Sequence, residues 1–415
     1  MSAPRPPATR PAATGRSAAV TFIFITVVID ILALGIIIPV LPRLVEGFLG
    51  GDTARAARMY GLFGTLWALM QFVFSPILGS LSDRFGRRPV ILLSCLGLGL
   101  DYVFMALAPS VGWLLAGRII SGITAASIAT AYAYIADVTP PEKRAASFGM
   151  IGAAWGLGFV LGPAVGGLLG AVNPRFPFWA AAALAFLNVI YGLFVLPESL
   201  PPESRRPFDW RRANPVGSLG LLGQHAGLLG LATVNLLYYI AHQVLPSVFV
   251  LYAGYRYGWD PRMVGFTLAV VGVCNVIVQA VLVKRVVGRF GARTTLLVGL
   301  VCGAIGFASY GLAPTAALFF LGVPIFAMMG FYSPAAQSIM SRRVSASEQG
   351  RLQGANASIM GLSGLVGPGL FTQVFAAFIG EQAGWHLPGA AFLLASILMF
   401  IAVPVALAAT RKPTT

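Results

Sequence analysis

The chain has 415 residues, of which 57% are hydrophobic and 10% are charged, and its mean hydropathy is +0.83. Soluble domains carry roughly 25% charged residues, so this composition excludes a soluble protein and indicates a polytopic membrane protein. The net charge of +15 would suggest a nucleic-acid partner in a soluble protein, but here the basic residues lie in short loops, where membrane orientation and anionic lipid explain them and no nucleic acid is expected.

Twelve segments are long and apolar enough to cross a bilayer, which takes about 20 mostly apolar residues. None shows the short alternating pattern of barrel strands, so we predict an all-α protein. The predicted organisation is a disordered tail at 1–17, a six-helix half at 18–197, a linker at 198–225, a six-helix half at 226–410 and a tail at 411–415. The predicted spans are 18–42, 59–82, 89–109, 112–136, 145–172, 176–197, 226–253, 263–286, 294–313, 315–340, 351–380 and 387–410.

Most of the 28 Lys and Arg residues fall in alternate loops, on one side of the predicted spans. The positive-inside rule then places both termini and the linker 198–225 in the cytoplasm.

Three charged residues lie inside predicted spans, at Asp30, Asp101 and Arg118. A charge costs roughly 2.5–3.5 kcal/mol at the centre of a membrane helix, so each is a candidate for function. Asp101 and Arg118 have matching depths in neighbouring spans, so they could form an ion pair, either static or switched during transport. We predict that these three residues couple the protein to proton movement.

A dense cluster of charge separates the second and third predicted spans, with the pattern Gly-x-x-x-Asp-Arg-x-Gly-Arg-Arg. It must lie at the membrane surface, because burial of so many charges in lipid would be costly. A solvated turn is the alternative, although a turn would require neither the acid nor the glycine spacing. The candidate residues are Gly79, Asp83, Arg84, Gly86, Arg87 and Arg88.

The fifth predicted span contains Gly158, Gly162, Pro163, Gly166 and Gly167. Small residues four positions apart give a flat face for close helix packing, and proline removes a backbone hydrogen bond and permits a bend. Generic small-residue packing is the alternative, since membrane helices are rich in glycine.

The two halves repeat each other in sequence. The Arg-Phe-Gly of residues 84–86 recurs at 289–291, and the Gly-Pro of residues 162–163 recurs at 367–368, at the same offset. With six spans per half, this predicts parallel repeats about an axis normal to the membrane and a substrate path between the halves.

His242 lies beside Gln243 in the seventh predicted span. It is either a titrating switch or a hydrogen-bonded packing residue. No group of residues has metal-ligand spacing, and the sequence contains no phosphate-binding loop or catalytic set. We therefore expect no metal, no cofactor and no enzymatic activity, with a proton gradient as the energy source.

The chain resembles the major facilitator superfamily, and the resemblance covers nearly its whole length. The segments 79–90 and 158–167 carry the most specific motifs. This resemblance implies the major facilitator fold, with twelve helices in two six-helix halves related by a pseudo-twofold axis. It implies that the loop 79–90 is a latch that closes the cytoplasmic side when the carrier faces outward, with Asp83 paired to basic groups and to a neighbouring helix N-terminus. It also implies that 158–167 is the antiporter motif.

A closer resemblance is to the tetracycline efflux antiporters, which export a complex of tetracycline and a divalent cation in exchange for protons. The matching stretches are 30–42, 79–90, 100–102, 117–124, 134–137, 258–259 and 352–354. By this resemblance, Asp30, Asp101 and Arg118 handle protons or substrate. The expected substrate path contains Asp30, Pro39, Gln71, His242, Gln243, Asn275, Gln279 and Gln337.

The chain departs from that family at two positions. Asn275 occupies the place of a histidine in the eighth helix, and Gly303 occupies the place of an acid in the ninth. No acidic residue lies inside a predicted C-terminal span, so proton coupling is expected of the N-terminal half. A less cationic drug would need fewer charges in its site.

We therefore expect a secondary active transporter of the bacterial inner membrane, a proton-coupled antiporter that exports amphiphilic drugs such as tetracycline by alternating access. Its expected partners are the drug, which could carry a divalent cation, protons and the lipid bilayer, and it is expected to act as a monomer. Two alternatives remain open: a proton symporter that imports a small nutrient, and a membrane sensor that does not transport.

Overall fold

The computed structural model of the chain describes residues 13–125, 127–140, 143–208, 217–225, 227–345, 348–380 and 384–411. Every regular element in these residues is helical. The α-helices are α1 (Ala13–Ile37), α2 (Leu41–Phe48), α3 (Thr53–Phe85), α4 (Arg87–Ala106), α5 (Val111–Thr124), α6 (Ser127–Val138), α7 (Arg144–Val172), α8 (Phe176–Phe194), α9 (Leu228–His242), α10 (Val244–Tyr257), α11 (Pro261–Ile277), α12 (Val283–Leu312), α13 (Ala316–Ala327), α14 (Tyr332–Ser341), α15 (Gln349–Ile379) and α16 (Ala390–Ala409). Short 3-10 helices lie at Pro202–Ser204, Gly217–Gly223 and Met328–Phe331, and a π-helix lies at Val278–Leu282.

Eleven helical segments of the described residues are long and apolar enough to cross a membrane. One of them, Pro261–Leu312, has 52 residues and contains two predicted spans, 263–286 and 294–313. Its backbone leaves the helical conformation at Gly291, between these two spans. The segments therefore correspond to the twelve predicted spans, and the all-helical prediction is confirmed.

The predicted ends of the chain and of its second span need correction. Helix α1 begins at Ala13, so 13–17 is helical rather than a disordered tail, and 1–12 lies outside the described residues. Helix α3 begins at Thr53, six residues before the predicted start, because Asp52 caps it by accepting a hydrogen bond of 2.8 Å from the backbone of Arg55. Residues 209–216 of the predicted linker and 412–415 of the predicted tail lie outside the described residues.

The sequence repeat is visible in the backbone. Gly86 and Gly291 both have positive φ, with φ/ψ of 108°/160° and 77°/162°, a conformation that favours glycine. The other repeated pair, Gly-Pro, lies inside α7 and again inside α15. Helix α7 packs on α1 and α11, whereas α15 packs on α9 and α3. A twofold axis between equivalent halves would map α7 onto α15, α1 onto α9 and α11 onto α3, and the observed neighbours fit this correspondence.

The two halves meet along two helix pairs, α3 with α15 and α7 with α11. Gly61 and Gly64 of α3 lie against Pro368 of α15, and Gly265 of α11 lies against Pro163 of α7. Both sets of contacts lie toward one end of the bundle, which we call the far end. The opposite end carries the start of α1 and the end of α16, and we call it the termini end.

The helices separate toward the termini end. Along the helix pairs that join the halves, glycine contacts across the interface reach only as far as Gly361 with Phe72 and Gly156 with Val276. Nearer to the termini end, the glycines of these helices have no atom within 4 Å of the position that a Cβ would occupy, as at Gly79, Gly149 and Gly350. The space between the halves is therefore closed at the far end and open at the termini end.

An arginine bridges the two halves at the far end. Arg43 of α2 donates from Nη1 to Glu46 at 2.9 Å and from Nη2 to the backbone carbonyl of Trp259 at 2.6 Å. Thr53 also donates to Glu46, at 2.5 Å. Because Trp259 precedes α11, this bridge holds the first half against the second.

Four of the spans are built from two shorter helices. They are α1 with α2, α5 with α6, α9 with α10, and α13 with α14. Interrupted membrane helices expose backbone groups and commonly form substrate sites at the interface of the halves. In the second half, such interruptions lie at Gln243 and at Met328–Phe331.

Candidate functional site

Asp30 lies in a polar pocket between α1, α4 and α8. Its side chain is buried, and its Oδ1 accepts hydrogen bonds from the Asn188 amide at 3.3 Å and the Cys95 thiol at 3.6 Å. The same amide donates to the backbone carbonyl of Thr26 at 2.9 Å. Asn188 and Cys95 were not among the predicted site residues. Asn188 could have been found from the sequence, because it is a single asparagine in an otherwise apolar span.

Asp101 is buried in α4, 1% exposed, and packs against Gly117 of α5. No hydrogen bond to either carboxylate oxygen that meets the usual distance and angle limits is found in the described residues. The Ser121 hydroxyl is the nearby hydrogen-bonding group, and Arg118 is close enough to act on the carboxylate electrostatically. The carboxylate of Asp101 therefore faces α5.

The predicted ion pair between Asp101 and Arg118 is not formed. None of the ion pairs found in the described residues joins them, and the Arg118 guanidinium lies over the ring of Trp67, with Cζ 5.2 Å from the ring centroid. The reason is helix geometry. Gly117 faces Asp101, so the next residue points about 100° away, toward α3.

Tyr102 lies near all three charged residues. It is 2% exposed and close enough to Asp30, Asp101 and Arg118 to interact with all three electrostatically. The structure thus brings the three predicted charged residues into one region of the first half.

A cavity lies where the two halves meet, next to Arg118. The first half contributes Tyr60 and Trp67 to its lining, and the second half contributes Gln243 and Gly364. Aromatic faces beside a cation and an amide suit an amphiphilic aromatic molecule. Gln71, predicted on the substrate path, lies four residues after Trp67 and therefore on the same face of α3.

Two predicted substrate-path residues lie at the end of α9. His242 is exposed, and the next residue, Gln243, lines the cavity. The ring of His242 lies 6.3 Å from that of Tyr238. Gln243, at the interruption between α9 and α10, packs against Gly367 of α15. No hydrogen bond of the His242 side chain is found in the described residues, so the packing alternative lacks its expected partner.

Gln279 lies in the π-helix that follows α11, and its side chain approaches Gly330. π-Helical turns frequently mark functional sites. Asn275 is partly buried one turn earlier. Pro39 is buried in the turn between α1 and α2, away from these two residues. The structure therefore places Gln279 and Asn275 close together along one helical segment, whereas Pro39 lies nearer to the far end of the bundle.

The position of Gly303 has no room for an acid. A Cβ there would come within 3 Å of Met329 and Met399, which fill the space. The second half is packed with apolar groups at the place where the tetracycline efflux family was expected to carry a carboxylate.

The glycines of the segment 158–167 have two packing faces. Gly158 packs on Ile31, next to Asp30, and a Cβ at Gly166 would overlap the backbone of Ile36. Gly162 lies on the same face, against Gly35. Pro163 and Gly167 instead contact α11 of the other half. The segment thus joins the helix that carries Asp30 to the interface between the halves.

The loop 79–90 forms an ion-pair network within the first half. Asp83 pairs with Arg87 at 2.5 Å, and Arg87 also pairs with Asp137 of α6 at 3.0 Å. Glu198 accepts hydrogen bonds from the backbone N–H groups of Arg87 and Arg88 at 2.9 and 3.3 Å. The acid that binds the N-terminus of α4 is therefore Glu198, and no bond of the Asp83 side chain to a helix N-terminus is found in the described residues.

The remaining latch residues have partners in the same half. Arg88 donates to the backbone carbonyls of Gly192 and Leu193. Arg84 lies over the ring of Phe85 at the surface. The sequence missed Asp137 and Glu198, although both are acids that directly follow apolar spans. No contact of this network with the second half is found in the described residues.

The copy of this loop in the second half has a simpler structure. Arg293 donates to the hydroxyl of Thr410 at 3.1 Å, and Arg289 lies over the ring of Phe290. Gly288 stands where the first half has Asp83. Only the first half therefore has an acid at this position of its loop.

In the part of the chain that the structure describes, no three His, Cys, Asp or Glu residues are grouped so that they could hold a metal ion.

Comparison with known proteins gives consistent matches. The model of the Major Facilitator Superfamily matches residues 23–368 and, separately, 231–415. The chain is 38% identical to the class C tetracycline resistance protein of Escherichia coli, over 91% of this chain and 94% of that protein. It is 36% identical to the class G tetracycline resistance protein of Vibrio anguillarum, over 94% and 97%.

Solved structures share the fold at lower sequence identity. A crystal structure of the human organic anion transporter MFSD10 superposes with a TM-score of 0.70 and 23% identity, over 97% of this chain and all of that one. A bacterial homologue of the human lysosomal transporter Spinster, in an inward-facing and occupied conformation, gives a TM-score of 0.74 and 17% identity, over 97% and 98%.

Proposed function

Because the chain belongs to the Major Facilitator Superfamily, we propose that it is a proton-coupled antiporter that exports amphiphilic drugs such as tetracycline by alternating access. The observation that carries this proposal is full-length similarity to tetracycline resistance proteins. The intact charge set of the first half, Asp30, Asp101 and Arg118, supports it.

The excess of Lys and Arg at the termini end supports a cytoplasmic location for both termini. The open end of the bundle then faces the cytoplasm, and drug enters there between the halves. The membrane is the bacterial inner membrane, the transport unit is a single chain, and a divalent cation accompanies the drug. No cofactor takes part, and the proton gradient supplies the energy.

Asp30 is the residue that exchanges the proton in this scheme. In the structure, the Asn188 amide and the Cys95 thiol donate to Oδ1 and stabilise the carboxylate. Protonation from the far side removes the charge and weakens these bonds. Because Ile31 packs on Gly158, a change at Asp30 reaches the glycine face of α7 and, through it, the interface with α11.

A susceptibility panel tests the proposal, in a host that lacks its own drug pumps. Expression of the protein should raise resistance to tetracycline, and Asp30→Asn should return it to the level of the empty vector at equal expression. Asp260→Asn is the matched control, because Asp260 caps α11 outside the spans and asparagine caps equally well. Unchanged resistance in Asp30→Asn would contradict its role, and no resistance to any drug would contradict export.

A further inference from the structure

A chain of hydrogen bonds joins neutral side chains of three helices in the second half. Tyr332 of α14 donates to Asn235 of α9 at 2.5 Å, Asn235 donates to Asn356 of α15 at 3.0 Å, and Asn356 donates to Gln337 of α14 at 3.2 Å. We call these four residues the amide relay. Only Gln337 was predicted from the sequence.

The two ends of the amide relay differ in burial. Tyr332 is 1% exposed and stacks on Tyr238, with ring centroids 4.1 Å apart, and Asn235 is also buried. Asn356 and Gln337 are partly exposed. The Gln337 carbonyl accepts the last bond, and no group in the described residues accepts a bond from its amide nitrogen. The relay therefore presents two unused N–H donors at its exposed end.

The exposed end borders the space between the halves. On α15, Asn356 lies eleven residues before Gly367, which is about three turns and therefore the same face of the helix. Gly367 packs against Gln243, which lines the cavity. Asn356 thus lies on the cavity side of α15, nearer to the termini end than Gln243.

The chemistry of this end defines what it can bind. Amide N–H groups donate to oxygen acceptors and do not attract cations. The second half has no acidic residue inside its spans, so an oxygen with negative charge meets no carboxylate there.

We propose that the amide relay is the substrate-recognition surface of the second half. Gln337 donates to adjacent carbonyl or enolate oxygens of the drug, and Asn356 and Asn235 are positioning residues that fix the orientation of its amide. This proposal rests on the proposed function and names the part of the drug that the second half recognises.

Tetracycline uptake into everted vesicles tests the proposal. Gln337→Leu and Asn356→Leu should each raise KM about tenfold and leave kcat unchanged, as expected for loss of a hydrogen bond to the ligand. Ser363→Ala is the matched control on α15, because its hydroxyl bonds only within its own helix, to Ile359 at 2.8 Å. A fall in kcat or in thermal stability with unchanged KM would show a structural network and overturn the proposal.

The double variant tests the positioning role. If Asn356 acts through Gln337, combining the two changes should raise KM no further than Gln337→Leu alone. Multiplied effects would overturn that role.

Titration of the purified protein with tetracycline separates this proposal from the proposed function. A tenfold weaker Kd in Gln337→Leu supports recognition even if exchange with protons fails. An equal Kd in wild type and Gln337→Leu, or no binding to wild type, overturns it.

Discussion

At the residue scale, the buried acids of the first half have different surroundings. Asp30 receives donors from Asn188 and Cys95, whereas Asp101 has only the Ser121 hydroxyl close by. Burial of an acid with so little hydrogen bonding is costly. We expect Asp101 to gain a cationic partner in another conformation, and Arg118, now over Trp67, is the candidate.

Glu198 is the residue whose removal should most disturb the loop 79–90. Its carboxylate accepts the first backbone N–H groups of α4, at Arg87 and Arg88, and a Cβ at Gly86 would overlap it. Loss of such a cap costs about 1–2 kcal/mol. Glu198→Ala should therefore lower the free energy of unfolding in detergent, measured by thermal or denaturant unfolding.

Glu203→Ala is the control for that measurement, because Glu203 is an exposed residue of the same segment. Equal stability of the two variants would show that Glu198 does not hold α4 to the rest of the first half.

The sequence singled out the charged residues of the candidate site, because a charge in an apolar span is conspicuous. It did not reveal their partners. Asn188 meets Asp30 from 158 positions away, and Asn356 meets Asn235 from 121 positions away. Such pairs depend on which helices are neighbours in the fold. The apolar pattern of a membrane helix does not determine its neighbours, because most of the helix surface is apolar.

At the element scale, the spans followed from apolar length alone, and their predicted limits are mostly within a few residues of the helices. The exceptions have local causes. The first turns of α3 were not predicted to be part of the span, because they contain the charged residues Arg55 and Arg58. The turn at Gly291 is so tight that Pro261–Leu312 forms an almost continuous helical segment. The interruption at Met328–Phe331 and the π-helix had no sequence signal that we recognised.

The glycines of α7 allow a comparison within one helix. A Cβ at Gly166 would overlap the Ile36 backbone, whereas Gly149 has open space around it. Gly166→Ala should lower the free energy of unfolding by about 1–3 kcal/mol through overpacking. Gly149→Ala should not lower it, and it could add up to about 1 kcal/mol of helix stability.

Thermal unfolding of both variants in detergent measures the difference. Equal stabilities would show that α1 and α7 can separate without cost, and that the glycine face does not transmit changes from Asp30.

At the scale of the whole molecule, the halves are held together at the far end and apart at the termini end. Arg43 bonds to Trp259 across the far end, and α3 with α15 and α7 with α11 pack there. In the loop 79–90, every partner found lies in the first half or in the segment that follows it. This is the arrangement expected of a carrier that is open at the termini end and closed at the far end.

The fold and the repeat could be predicted from the sequence, because the lengths of the apolar segments and the sequence offset between the halves do not depend on the conformation of the carrier. The open end could not, because both states of a rocking carrier bury the same helices and differ only in which end of the interface is in contact.

The central claim is that drug and protons move in opposite directions through this protein. Purified protein in liposomes, with a pH-sensitive dye inside and tetracycline added outside, measures it most directly. With the lumen acidic, tetracycline should enter while protons leave, so the lumen should become more alkaline, and Asp30→Asn should abolish both movements. Tetracycline-dependent acidification of the lumen, or drug entry without any change in luminal pH, would contradict proton antiport.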